Sequence, residues 1–494
     1  MNGPAGQHVE TIFDRSRPGR EAFSLPELDV PEVDAADVVP AGLLREAPPR
    51  LPEVSEPELI RHYVRLSGQN LSIDTAFYPL GSCTMKHNPK VNERVAAMPG
   101  FAQLHPRQDD DAAQGMLEVL WRLERYLASI AGLPHVTLQP AAGAQGELCG
   151  LLLMKAWHRA QGSERRTVII PDTAHGTNPA SVTMAGWDTV KVRTDARGGV
   201  DLEDLRSKVN EDVAGLMLTN PSTTGLFEEN IVEVARLLHD VGALLYYDGA
   251  NLNAVMGVSR PGDMGFDIVH FNTHKSFSTP HGGGGPGAGP VAVVDRLEPF
   301  LPTPVLRRDA AGALAFDHDR PQSIGKLKAH VGNAGVLVRA YAYIRALGAE
   351  GVREAAETAV LNANYLLARL RGAYDVPFDR LCKHEFVLSA RRLKREHNVR
   401  ALDVAKRLMD FGFHPPTIYF PLLVEEALMV EPTETEPREE LDAFADAMLA
   451  IAREAGEDAE VLRTAPHTTL VGRLDEVRAV KQPVLRSEQV ISRT

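Results

Sequence analysis

Seven short segments constrain the fold of this chain: Val136–Gln139, Thr167–Pro171, Thr189–Val192, Gly215–Thr219, Ala243–Tyr247, Asp267–Phe271 and Pro290–Val294. Each is apolar or β-branched and bounded by Gly, Pro, Asn or Asp, and helical periodicity fills several of the gaps, as at 148–160 and 231–241. Strand and helix in alternation imply an α/β fold with a mostly parallel seven-stranded sheet covered on both faces. In such sheets a ligand sits beyond the carboxyl ends of the strands. Two segments deliver chemistry to that edge. One ends in Tyr-Tyr-Asp248-Gly-Ala-Asn, and the next leads into Asn-Thr-His-Lys275-Ser-Phe and then a glycine run, Gly282 to Gly285.

A lysine and an aspartate at the ends of successive strands are what pyridoxal phosphate requires. The lysine condenses with the cofactor aldehyde, and the aspartate keeps the pyridine nitrogen protonated so that the ring accepts electrons. Gln139-Pro-Ala-Ala142-Gly143-Ala144-Gln-Gly-Glu147 follows the first strand and opens a helix, where small residues let backbone N–H groups converge on the cofactor phosphate. Alone, such a turn need bind nothing; the lysine and aspartate give it meaning. His175, in His-Gly-Thr-Asn178-Pro, is placed to stack on the cofactor ring, with Asn178 a candidate substrate contact. The loop Asn220 to Gly225 puts Thr223 either on the cofactor or substrate or at a helix start. Ala250, beside Asp248, and Thr273, whose hydroxyl can reach a phosphate, complete the expected cofactor contacts, together with Gly284. For His274, support of the lysine and plain packing both stay open. The glycine run contains G-x-G-x-x-G, but no βαβ unit opens around it, so a dinucleotide site is not inferred.

Further domains are expected around this sheet. Residues 1–57 are rich in proline and acidic residues and read as an extended arm crossing to a neighbouring subunit. Residues 58–112 hold the dense segment Phe77-Tyr78-Pro-Leu-Gly-Ser-Cys-Thr-Met-Lys86-His-Asn-Pro, a loop able to close over a small substrate through Tyr78 and Lys86. Residues 113–327 form the large cofactor domain, and 328–494 a long linking helix and a smaller α+β lobe. A net charge of −13 argues against a nucleic-acid surface or docking to anionic lipid. Cys83, Cys149 and Cys382 make neither a zinc spacing nor a disulfide framework, and no secretory signal is visible, which together point to the cytoplasm. No metal is expected.

These segments, from Tyr78–Lys86 through Gln139–Glu147, His175–Ser181, Tyr247–Asn253 and Asn272–Phe277, closely resemble the glycine decarboxylase P proteins, the pyridoxal-phosphate component of the glycine cleavage system. The resemblance runs from about residue 60 to beyond residue 470, and the chain looks like the catalytic second subunit of the split bacterial form. It implies the fold-type-I, aspartate aminotransferase-like architecture and a first subunit as partner in an α2β2 assembly. It also implies decarboxylation of glycine, with transfer of the aminomethyl group to the lipoyl arm of the H protein. An ordinary amino-acid decarboxylase also places a His-Lys pair here but has no need of the Tyr78–Lys86 segment. A non-catalytic scaffold has no physical reason to keep Lys275, Asp248 and His175 together.

Overall fold

The computed structural model describes residues 10–47, 49–282, 287–329 and 331–485. They fall into two compact units, Met1–Ser72 with Thr464–Thr494, and Ile73–Arg463. In the first, the proline-rich stretch holds the four-residue helix Ala35–Val38 and a 3-10 turn at Ala41–Leu43. Phe23, Leu25, Leu28, Leu43 and Leu51 stand exposed along it. The helix Glu56–Ser67 starts at a capping box in which Glu58 accepts from the Ser55 N–H at 2.9 Å, with Pro57 in its first turn where no N–H is needed. This helix groups with the stretch before it, so the boundary lies at Ser72 rather than at the expected residue 57. The last residues, expected in the small lobe, likewise group here from Thr464 onward.

In the second unit the strands are β1 (His135–Thr137), β2 (Thr167–Pro171), β3 (Asp188–Val192), β4 (Val213–Thr219), β5 (Leu244–Asp248), β6 (Ile268–His270) and β7 (Val291–Val293). They form one sheet in the order β1-β7-β6-β5-β4-β2-β3. Strands β3, β2, β4, β5 and β6 run parallel, while β7 is antiparallel to both β6 and β1. The centre is covered on both faces, and β4 and β5 are buried at every position. Successive side chains alternate between two cores, as strand geometry demands. Leu216, Leu218, Leu245 and Tyr247 join Leu123 and Leu127 on one side. Met217, Leu244 and Tyr246 join Met154 and Ile170 on the other. The helix Ile231–Asp240 turns Ile231, Val234, Ala235 and Leu238 inward, the spacing of one helical face.

A hairpin, β8 (Val305–Arg308) with β9 (Leu314–Asp317), follows the sheet. The long helix Ala334–Leu370 then leaves it, broken at Gly348, whose φ of 66° no helix accommodates. Beyond lies a small antiparallel sheet, β10 (Phe386–Ser389), β11 (Thr417–Ile418) and β12 (Ala427–Val430), in the order β10-β12-β11. Its core joins Leu366, Phe386, Leu428, Phe444 and Met448 with Phe77 of the early segment. That segment lies against β12: the Gly81 N–H donates to the Met429 carbonyl at 3.2 Å, and the Glu431 N–H to that of Pro79 at 3.2 Å. A Cβ on Gly81 would stand 2.2 Å from Met429 Cγ, so glycine alone fits there. The expected divisions at residues 113 and 328 are therefore changes of core within one unit. Among the described residues no helix is long and apolar enough to cross a membrane.

Candidate active site

A cavity of about 350 Å³ opens at the carboxyl edge of the parallel strands. Asp248 is the last residue of β5, in register with Thr219 of β4. Lys275 sits in the single turn Thr273–Ser276 that follows β6. His175 lies between β2 and the helix Thr177–Met184, and Thr223 in the loop after β4. Ala142, Gly143 and Ala144 form the start of the helix Gly143–Ala160. All eight line the cavity, with Ala250, Ser82, Glu147, Asn272, His274 and His281.

Asp248 is 2% exposed. Its Oδ2 accepts from Asn178 Nδ2 at 3.0 Å and its Oδ1 from the Ala250 N–H at 3.0 Å, while His270 Nε2 lies 3.4 Å from Oδ1. Burial alone would raise its pKa, but His270, these hydrogen bonds and the Lys275 charge hold it below the usual carboxylate value. The carboxylate is therefore ionised, as a partner of a protonated ring nitrogen must be. Glu147, the nearby second acid, behaves oppositely: burial and then the Asp248 charge raise its pKa. It accepts from the Thr177 hydroxyl at 2.7 Å and the Ser181 hydroxyl at 2.8 Å, tying down the turn that carries His175.

His175 is open to the cavity, yet protein around the ring desolvates it and, with the Lys275 charge, lowers its pKa. A neutral imidazole suits stacking on a pyridine ring. His274 is driven to about 3 by burial and by Lys275 and is also neutral. Lys275 Nζ donates to the Ser82 carbonyl at 2.6 Å. His281 Nε2 lies 2.8 Å from the neighbouring Cys83 carbonyl, and burial raises the Cys83 thiol although Lys275 opposes it.

The residues present fit pyridoxal phosphate. At the helix start, Asn272 Oδ1 and His274 Nδ1 are buried without a hydrogen-bond partner. The amide orientation and the ring tautomer are free to turn donors toward an anion there. A Cβ on Gly143 would lie 2.2 Å from Asn272 Oδ1, so the cradle excludes a larger residue. Asp248 and Lys275 line the same cavity as this cradle.

Four expected contacts fall elsewhere. Tyr78 does not line the cavity; its ring stacks on His414 with centroids 3.5 Å apart. Lys86, expected to meet substrate, is 3% exposed and pairs with Glu434 at 2.7 Å, donating also to the Ser276 carbonyl at 3.2 Å. Burial alone would lower its pKa, but Glu434 and Tyr343 raise it, so the ammonium is kept as a structural charge. Asn178 serves Asp248 instead of facing the cavity, and Thr273 is fully buried with its hydroxyl 3.2 Å from the Ala288 carbonyl. Gly284 lies outside the described residues. Sequence reasoning passed over Glu147, His270, Ser82 and His281. His270 alone had a signal, since it ends the strand beside the one that ends in Asp248.

Residues 355–468 match the family described as glycine dehydrogenase, C-terminal domain, and residues 151–285 match aminotransferase class-V. The probable glycine dehydrogenase (decarboxylating) subunit 2 of Bacillus licheniformis is 59% identical, over 98% of this chain and 99% of its own length. Its counterpart in Listeria welshimeri is 57% identical over 97% and 98%. Among solved structures, an inhibitor-bound glycine decarboxylase (P-protein) of the glycine cleavage system superposes with a TM-score of 0.70 at 24% identity, covering 83% of this chain and 93% of that one. The glutamate decarboxylase of Lactobacillus brevis gives 0.64 at 14% identity, over 84% and 95%. These two likenesses establish the pyridoxal-phosphate fold-type-I architecture. With relatives of this identity along nearly its whole length, the chain belongs to the glycine dehydrogenase (decarboxylating) subunit 2 family.

Proposed function

We propose that this chain decarboxylates glycine and hands the remaining aminomethyl group to a lipoyl disulfide on the H protein, as the lysine-bearing subunit of a two-subunit enzyme of the glycine cleavage system. The observation that carries this reading is the convergence of Lys275 and an ionised, buried Asp248 on one cavity, in a chain of this family. Pyridoxal phosphate, when bound, supplies the aldehyde that Lys275 attacks and a ring that draws electrons from the amino-acid α-carbon. The chain's residues do the rest. Ala142, Gly143 and Ala144 offer helix-terminal N–H groups to the phosphate, and Asp248 holds a proton on the ring nitrogen. His175 covers one face of the ring and Ala250 lies beside Asp248. The Ser82 carbonyl, which accepts from Lys275 Nζ at 2.6 Å, would hold the lysine amine whenever it is not bonded to the cofactor.

The overall step balances. The carboxylate leaves as carbon dioxide, and the bonding pair it leaves on the α-carbon forms the bond to one lipoyl sulfur. The S–S bond breaks, and the other sulfur departs as a thiolate that takes up a proton. No protein thiol takes part, and the raised pKa of Cys83 agrees with that. A first subunit is the expected partner, in an α2β2 assembly in the cytoplasm. The exposed Phe23, Leu25, Leu28 and Leu43 offer a strip for another chain to cover, and three free cysteines fit a reducing compartment. Borohydride reduction of the cofactor-loaded two-subunit complex, followed by peptide mapping, should attach the cofactor to Lys275, and glycine-dependent exchange of carbon dioxide should require it. Exchange that persists in Lys275→Ala would sink the reading.

A further inference from the structure

Beneath Lys275 lies a buried acid pair with no part in the chemistry above. Glu385 immediately precedes β10 and Glu431 immediately follows β12, next to the paired residues Phe386 and Val430. Both are fully buried, as is His384, whose Nε2 lies 3.8 Å from Oε1 of each. Two carboxylates at matching ends of adjacent strands repel one another, so the arrangement calls for a compensating interaction.

That interaction is with the early segment. Ser82 and Thr84 have φ of 67° and 48°, a left-handed backbone that side chains disfavour. Each gives its N–H to one of the acids: Ser82 to Glu385 Oε2 at 2.7 Å, Thr84 to Glu431 Oε2 at 3.0 Å. The remaining oxygens accept from Asn251 Nδ2 at 3.1 Å and Asn253 Nδ2 at 3.4 Å, in the turn that follows Asp248. The strained turn thereby aims the Ser82 carbonyl at Lys275 Nζ.

Charge completes the picture. Burial, then the Glu431 charge, raises Glu385 far above the carboxylate range, and burial takes Glu431 to about 7. Among the described residues the ionisable groups facing the pair are His384, Cys83, Cys382, a thiol that burial pushes up to about 12, and Lys275, with Lys86 beyond His384. His384 is driven to about 3 by burial and is neutral, Cys83 stays a thiol, and Lys86 is taken by Glu434. Lys275 is the cation left for the pair to meet.

We propose that Glu385 and Glu431 are positioning residues for Lys275: together they lock the left-handed Ser82–Thr84 turn so that its carbonyl meets the lysine, and their single net charge balances the lysine's positive form. The proposal rests on Lys275 being the residue that bonds the cofactor.

The test uses the cofactor-loaded two-subunit complex and the pH midpoint of the visible absorbance of the lysine–cofactor bond. Removing a nearby negative charge disfavours the protonated form, and Glu431 is the acid of the pair that ionises first, so Glu431→Gln should lower that midpoint by about one unit, a tenfold loss of proton affinity. An unchanged midpoint overturns the proposal. Should Glu431→Gln fail to assemble, Thr84→Gly is added, because glycine needs no help at the φ of 48° that Glu431 holds there. Assembly should return while the midpoint stays low. Failure to assemble even then assigns the pair to the fold alone and also overturns it. Borohydride mapping of the wild-type complex keeps the two readings apart: without a bond at Lys275 the cofactor assignment falls, and with the bond present an unshifted midpoint removes only the role of the pair.

Discussion

Asn178 Nδ2 donates to Asp248 Oδ2 at 3.0 Å, both side chains buried, and this contact helps keep the aspartate ionised. Asp248→Asn keeps the shape and removes the charge, so activity should fall about 100- to 1,000-fold with little loss of stability. Asn178→Ala should give a smaller loss, about tenfold. Glycine-dependent carbon dioxide exchange, measured beside a thermal melt, separates the two effects.

Lys275→Ala should leave no borohydride-reducible cofactor bond and bring exchange activity to background. Its melting temperature without cofactor should stay within a few degrees of wild type, since the side chain is only half-buried and the bond lost is one to the Ser82 carbonyl. A collapse of the fold would instead make Lys275 a structural residue.

Lys86→Met should act on stability. It leaves the largely buried Glu434 without its partner, at a cost of about 2–4 kcal/mol once partial exposure is allowed for, and Lys86→Met with Glu434→Leu should recover most of that. Denaturant unfolding of the single and double variants tests it. A variant that instead raises the KM for glycine at unchanged stability would return Lys86 to the substrate.

Glu431 carries a pH signature. Its folded pKa, about 7, lies above the value of 4.5 for a free glutamate, so the folded chain binds the proton more tightly than the unfolded one. Its contribution is fully present below the unfolded value and is lost as pH rises through the folded one. Stability should therefore decline between about pH 4.5 and 7 with a slope of at most about 1.4 kcal/mol per pH unit. Subtracting the Glu431→Gln curve from that of the wild type isolates it, and a flat difference would contradict the assignment.

Gly143→Ala should weaken cofactor retention about tenfold or more, because its methyl would meet Asn272 Oδ1 at 2.2 Å where the phosphate cradle is tightest. Equilibrium dialysis with pyridoxal phosphate reads this directly.

The large sheet was legible because its signal is local: seven apolar runs, each ended by a turn former, became seven strands. Asp248 and Lys275 were legible for the same reason, one as the last residue of a strand and the other in the turn after the next strand. What local pattern hides is pairing across long separations. Lys86 meets Glu434 and Ser82 meets Glu385 through a strand-like contact with β12 that neither segment announces. The chemistry of Tyr78–Lys86 was read as facing substrate, whereas Tyr78 and Lys86 face the small lobe and the long helix. His175 and Glu147 show the intermediate case: the histidine was visible in its turn, but the acid holding that turn required the helix to be placed beside it.

Lys275 and Asp248 are made by residue 275 of the chain, but the floor under the lysine ends at Glu431. A growing chain thus holds both side chains long before the turn that meets the lysine is locked. The native setting of the lysine has to wait for the last strand of the small sheet, so the site is whole only once the residue after β12 has been made.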